Sequence, residues 1–126
     1  MVSLKTAREL ALTFEEAVEQ PHFEKPSFRV KKKIFLTLDE PKNIACIKLP
    51  EIEQDIFCKI DARMIYPVPN KWGKQGWTFV NLKLIKKGLF VEVLTASYCH
   101  VAPKVFTDKY LKDGGEGLGE GGGKGA

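Results

Sequence analysis

A period-two alternation of apolar residues constrains the fold of this chain more than any other sequence feature. Apolar residues recur at every second position in the segments 28–30 and 34–38, and in 78–84 Thr78 is followed at the same spacing by Val80, Leu82 and Leu84. Successive side chains of a β-strand point to opposite sides, so this pattern is typical of antiparallel strands with one face on the core. Lys31-Lys32 lies between the first two segments and predicts a tight turn, although it lacks the usual Asn-Gly chemistry. We also expect a strand over 44–48 and an extended segment over 63–68.

Other segments repeat apolar residues at helical spacing. They are 3–19, 50–60 and 89–101, with a last helical turn or two over 104–112. Ser3 is a suitable N-cap for the first helix, and Pro21 ends it. Ile52, Ile56 and Ile60 are four residues apart in the second helix, so we expect them to face the core together.

The order of elements is α-β-β-β-α-β-β-α, without an internal repeat. Strands grouped between helices indicate the α+β class: a single two-layer domain, with an antiparallel sheet of about five strands and helices packed on one face. The length of 126 residues suits one domain, which we place at 1–112. Eight of the last thirteen residues are glycine, so 113–126 is predicted to be a flexible tail.

Composition excludes several classes of protein. No stretch approaches the roughly 20 apolar residues that span a membrane, and the charged N-terminus does not resemble a signal peptide, so we expect a cytoplasmic protein. Cys46, Cys58 and Cys99 contain no C-x-x-C pair, which argues against a disulfide scaffold and against a zinc site. We expect three reduced and mostly buried thiols.

Basic residues are clustered more than the net charge of +4 suggests. Ten of the twenty lysines and arginines fall in two windows without acids, Lys25, Arg29, Lys31, Lys32 and Lys33 in 25–33, and Lys71, Lys74, Lys83, Lys86 and Lys87 in 71–87. Such clusters raise the local potential and favour an anionic partner. The alternative is ordinary solvated strand and turn positions.

Aromatic residues lie among these cations. In the 33–38 strand, the face opposite the aliphatic one carries Lys33, Phe35 and Thr37. In the 77–85 strand, the corresponding face carries Trp77, Phe79, Asn81 and Lys83. On a helix-free face, such residues would stack on bases and neutralise phosphates. The alternative is a second hydrophobic layer, under the last helix or in a dimer. Trp72, flanked by lysines in the loop 69–76, is either a contact tip or an anchor for that loop.

No catalytic constellation can be assembled, so we expect that the protein is not an enzyme and needs no cofactor. The histidines are His22 and His100, and His100 follows Cys99 directly, so their side chains diverge by about 100° on a helix. Helix 1 carries Glu9, Glu15, Glu16 and Glu19. We interpret these acids as a solvated face and predict no metal site.

Three short motifs resemble the MmcQ/YjbR family. They are Phe23-Glu24-Lys25-Pro26-Ser27-Phe28-Arg29-Val30 with Lys33-Ile34-Phe35, then Gly76-Trp77-Thr78-Phe79-Val80-Asn81-Leu82, and Ser97-Tyr98. The resemblance covers about 1–112, and it implies a compact fold similar to CyaY or to secretion chaperones and a role in DNA binding. Many members have glycine where this chain has Lys32. The family offers no catalytic residue to transfer.

We therefore predict a DNA-binding protein of low sequence specificity, either a monomer or a weak homodimer. The predicted nucleic-acid-binding residues are Arg29, Lys31, Lys32, Lys33, Lys71, Trp72, Lys74 and Lys83. The alternative is a protein-interaction or chaperone-like module that uses Phe35, Trp77 and Phe79 on an exposed aromatic sheet face.

Overall fold

A six-stranded antiparallel sheet forms one layer of the structure, and helices form the other. The computed structural model describes residues 1–110, and the predicted tail over 113–126 lies outside them. The elements are α1 (Leu4–Ala11), β1 (Val18–His22), β2 (Lys25–Val30), β3 (Lys33–Asp39), β4 (Ile44–Lys48), α2 (Glu51–Cys58), β5 (Ile65–Pro67), α3 (Lys71–Lys74), β6 (Trp77–Asn81) and α4 (Lys87–Val101). A further helical segment covers 104–110. The predicted α+β class is confirmed, with six strands where about five were expected.

The strands follow the order β1-β2-β3-β4-β6-β5, and all neighbours are antiparallel. One face of the sheet packs against the helices. Its fully buried side chains are Phe28, Val30, Leu36, Leu38, Ala45, Ile47, Ile65 and Val80. The residues that alternate with these side chains are mostly half-buried, and within residues 1–110 no helix covers them. We call this second side the uncovered face. The prediction of helices on one face is confirmed.

The first predicted helix, 3–19, is too long. Ser3 caps it as expected, because its Oγ accepts a hydrogen bond from the N–H of Thr6 at 3.0 Å. The helix ends at Ala11, and a turn with a positive φ of 63° at Glu16 leads into β1. β1 then pairs with β2 over five residues, so its backbone groups find partners that a helix end in water would lack.

Phe35 is fully buried on the helix side, so its predicted place on the helix-free face is wrong. The register of β2 and β3 shifts at this point: Phe28 pairs with Leu36, but Arg29 pairs with Ile34. Phe35 is therefore the extra residue of a β-bulge, which changes the side to which a side chain points. Its ring packs edge-on against Tyr98, with centroids 5.3 Å apart.

The isoleucines of α2 do not face the core as expected. Ile52, Ile56 and Ile60 are 75%, 56% and 53% exposed. The inner side of α2 carries Phe57 and Cys58, which pack against the core. The short helix therefore has apolar residues on two sides, and the less regular side is the one that is packed.

The Ser97-Tyr98 pair joins α4 to the rest of the core. The Tyr98 ring stacks on Phe14 at 4.6 Å, and its hydroxyl donates to the carbonyl of Glu15 at 2.6 Å. The Ser97 hydroxyl donates to the carbonyl of Phe35 at 2.7 Å and accepts from the N–H of Lys48 at 2.9 Å. It thus bridges β3 and β4 just beyond the last ladder pair, Leu36 and Ile47.

None of the helices in residues 1–110 has the length and apolarity to cross a bilayer.

Candidate nucleic-acid interface

Strand polarity brings most of the predicted binding residues to one end of the sheet. β2, β4 and β5 end there, and β3 and β6 begin there. We call this region the basic end and define it by Arg29, Lys31, Lys32, Lys33, Lys48, Lys71, Trp72 and Lys74. Seven of the eight predicted residues belong to it. Lys83 does not, since it follows β6 at the opposite end of the sheet.

The Lys31-Lys32 turn projects from the basic end. Val30 pairs with Lys33 across it, so the loop has two residues, and both have positive φ, 49° at Lys31 and 71° at Lys32. These values match the type I′ turn that suits the twist of a hairpin. Both side chains are exposed, and the Lys31 Nζ lies 5.5 Å from the centre of the Phe106 ring. The predicted tight turn is confirmed.

The loop 69–76 is held in place by its glycines. A β-carbon on Gly73 would lie 2.0 Å from the backbone oxygen of Val68, and one on Gly76 would lie 2.2 Å from that of Leu49. The chain therefore packs too closely for any side chain at these positions. Trp72 is 48% exposed, which favours the contact tip over the anchor, and the Lys71 Nζ lies 5.7 Å from the centre of its ring.

Gln54 of α2 fixes the same loop from the helix side, and no pattern in the sequence indicates this role. Its Nε2 donates to the carbonyl of Gly73 at 2.9 Å and to the hydroxyl of Thr78 at 3.0 Å. The Thr78 hydroxyl in turn donates to the carbonyl of Gly76 at 2.9 Å. A chain of hydrogen bonds thus sets the position of Lys71 and Trp72 relative to β6.

Lys48 is a further member that sequence reasoning missed, because it lies in neither basic window. It ends β4 and pairs with Trp77 across the ladder, and its Nζ lies 5.6 Å from the centre of that ring. Lys48 also lowers the pKa of His100, after the larger effect of burial. The pairing of two antiparallel strands, rather than closeness in sequence, adds this cation to the site.

The cations of the basic end are not neutralised by neighbouring carboxylates. Within residues 1–110, none of Arg29, Lys31, Lys32, Lys33, Lys48, Lys71 and Lys74 forms an ion pair. Lys25, from the same sequence window as Arg29, is paired with Asp39 at 3.6 Å at the opposite end of the sheet. Cations without an ion-pair partner attract an anionic partner more strongly than paired ones do, although the Arg29 Nε already donates to the hydroxyl of Ser27 at 3.1 Å.

The uncovered face continues from the basic end. Thr37, Cys46, Phe79 and Tyr66 form a row across four strands, and Trp77 lies on the same side of β6. The Tyr66 and Phe79 rings are 5.7 Å apart. Burial raises the pKa of the Cys46 thiol to about 11, so only a small fraction of it is in the nucleophilic thiolate form at neutral pH.

The other cysteines of residues 1–110 have raised pKa values as well. Burial raises the pKa of Cys99 to about 11, and burial together with the charge of Asp55 raises that of Cys58. All three thiols are free and half-buried, where mostly buried ones were expected. In the part of the chain that the structure describes, no group of three or more His, Cys, Asp or Glu side chains is placed to hold a metal ion.

Comparisons with known proteins agree with this fold. The YjbR family model matches residues 12–100. The chain is also similar to the crystal structure of Deinococcus radiodurans protein DR2400, which contains a DUF419 family-model domain. The TM-score is 0.72 at 20% sequence identity, over 90% of this chain and 88% of that chain. No curated protein matches the sequence. Because the family model covers most of the described residues, the protein belongs to the YjbR family.

Proposed function

We propose that the protein is a nucleic-acid-binding module, rather than an enzyme, that holds DNA at the basic end with low sequence specificity. The observation that carries this proposal is the gathering of seven unpaired cations and one exposed tryptophan at a single end of the sheet. Lysine and arginine side chains release counterions when they neutralise phosphates, which favours binding to any nucleic-acid sequence.

Low specificity follows from the kinds of group at this end. Six of the seven cations are lysines, which bind phosphate as point charges, and contacts to phosphates carry no direct information about sequence. Base-specific reading usually places a helix in the major groove. The exposed side of α2 is a poor candidate for that role, since it presents isoleucines together with Glu51 and Asp55.

The test is a titration of the full chain with labelled DNA at about 50 and about 200 mM salt, where phosphate contacts are most visible. We expect a steep loss of affinity with salt. The triple variant Lys31→Gln, Lys32→Gln, Lys33→Gln should bind more weakly and reduce the salt slope by about 0.9 for each phosphate that it no longer neutralises.

A matched control removes the same charge from the opposite end of the sheet. Lys42 lies in the β3–β4 turn, and Lys86 and Lys87 precede and begin α4. The triple variant Lys42→Gln, Lys86→Gln, Lys87→Gln has the same net charge as the first, but it should bind DNA as the wild type does. If both variants weaken binding equally, net charge rather than the basic end attracts the DNA, and the proposal is wrong.

The second candidate function is a protein-interaction or chaperone-like module. The observation that favours it is the uncovered face, on which Trp77, Phe79 and Tyr66 remain half-buried. The burial of Phe35 removes one of the three aromatic residues on which this alternative depended. It predicts a homodimer or a captured protein partner, and sedimentation of the purified chain together with a pull-down would test it.

A further inference from the structure

We infer that the uncovered face binds single-stranded nucleic acid, with bases stacked on Trp77, Phe79 and Tyr66. This inference rests on the proposed function and specifies the form of its ligand. The basic end would hold phosphates at the margin of the sheet, and the uncovered face would hold the bases that follow.

Three aromatic residues lie on the same side of two neighbouring strands, and the ring planes of Tyr66 and Phe79 are inclined to each other by 62°. Trp77 and Phe79 are two residues apart on β6, so they lie on the same side with a separation of about 7 Å along the strand. Tyr66 pairs with Phe79 from β5, at the edge of the sheet. Aromatic side chains on an open sheet face are a known means of stacking two or three bases of a single strand.

The charge of the uncovered face is complementary to a nucleic-acid backbone. The six strands contain two acidic residues, Glu19 and Asp39. Glu19 is turned to the helix side, where it pairs with Arg8 at 3.0 Å, and Asp39 is paired with Lys25. Arg29 and Lys48 lie on the uncovered face without a carboxylate partner among residues 1–110. Lys48 also approaches Trp77, so a phosphate bound there would be next to a stacked base.

A single strand uses this surface better than a duplex does. The faces of paired bases are hidden inside the stack, so a duplex would leave three half-exposed rings without a partner. Single strands expose these faces, and aromatic stacking accepts every base, in agreement with low specificity. An apolar protein surface would leave Arg29 and Lys48 without an anionic partner, whereas the phosphates of a single strand would pair with them.

The experiment compares an oligodeoxythymidine of about 15 nucleotides with a duplex of the same length, at about 50 mM salt. Phe79→Leu keeps an apolar side chain but removes the ring, and it should bind the single strand about 5- to 150-fold more weakly. The control is Phe23→Leu, which removes a 92% exposed ring from the hairpin at the opposite end of the sheet and should bind as the wild type does. In Trp72→Phe, Trp77 is the remaining tryptophan, and its emission should be quenched by the single strand.

The outcomes separate this inference from the proposed function. If the wild type binds nucleic acid and the Lys31, Lys32, Lys33 variant does not, but Phe79→Leu binds normally and Trp77 emission is unchanged, this inference alone is wrong. If the wild type binds neither probe, the proposed function fails, this inference fails with it, and a protein partner becomes the better explanation of the aromatic face.

Discussion

Replacing Lys32 by glycine should make the protein more stable and a weaker ligand of nucleic acid. Lys32 has a φ of 71°, in the left-handed region that costs an ordinary L-residue roughly 1–2 kcal/mol and costs glycine nothing. Glycine also gains about 0.4–1 kcal/mol of conformational entropy in the unfolded chain, which offsets part of this benefit. The net expectation for Lys32→Gly is a gain of about 0.5–1 kcal/mol in the free energy of unfolding.

The Lys32 side chain takes no part in the hydrogen bonds or ion pairs of residues 1–110, so its removal subtracts little from this gain. Urea unfolding should show a higher midpoint with an unchanged slope, because the surface exposed on unfolding is the same. The melting temperature should rise by about 2–4 °C. In the DNA titration the same variant should neutralise one phosphate fewer, which lowers the salt slope by about 0.9.

Lys32→Ala is the matched control, because it removes the same charge but keeps the β-carbon. It should reproduce the weaker binding of Lys32→Gly without its gain in stability. If the two variants are equally stable, the left-handed backbone is not the source of the cost. A chain that retains a costly lysine where glycine is more stable is consistent with a use for that charge, as strained residues often mark functional positions.

Four further predictions test the fold. Ser97→Ala leaves a buried carbonyl and a buried N–H without their partner, so it should lower the free energy of unfolding by about 2 kcal/mol, and Thr95→Ala in the same helix should not. Gly73→Ala should lower the melting temperature by destabilising the fold by about 1–3 kcal/mol, because its β-carbon meets a backbone oxygen at 2.0 Å. Ile56→Ser should change the free energy of unfolding by less than about 0.5 kcal/mol, and a decrease of about 2 kcal/mol or more would place its side chain in the core instead. At pH 8, Cys46 should react with iodoacetamide about 100-fold more slowly in the folded than in the unfolded chain, because burial raises its pKa to about 11 from 9.0.

The central strands could be predicted because each has one buried and one open face. β4 and β6 show the strict period of two that burial on one side imposes, and β2 and β3 follow it except at Ser27-Phe28 and Phe35-Leu36, where two buried residues are adjacent. β1 escaped prediction because it is an edge strand whose first four residues are all exposed. A strand without a buried face does not need alternating apolar residues. Val18 therefore continued the helical spacing of the apolar residues in the preceding segment.

The bulge at Phe35 could not be predicted, although its consequence is large. Ile34-Phe35-Leu36 is a run of three apolar residues, which does not show to which side of the sheet Phe35 points, and no glycine or proline marks the irregular position. The bulge is favoured by contacts distant in sequence: the Phe35 ring packs against Tyr98, and its carbonyl accepts from Ser97. The bulge is therefore stabilised by α4, about 60 residues later in the chain. The local periodicity of the sequence carries no information about these contacts.

The positions of the cations in the candidate site also depend on strand pairing that the local sequence does not show. Of the ten basic residues in the two sequence windows, six reach the basic end, and four, Lys25, Lys83, Lys86 and Lys87, lie at the opposite end. β6 separates Lys74 from Lys83, and its five residues span about 13 Å from first to last. That distance exceeds the Debye length of about 8 Å at physiological ionic strength, so the two groups of cations act as separate fields. Lys48, in contrast, joins the basic end through the pairing of β4 with β6. A basic window in sequence therefore predicts a basic surface only where it lies within one turn, as at Lys31–Lys33, and a window that includes a whole strand divides its charge between both ends.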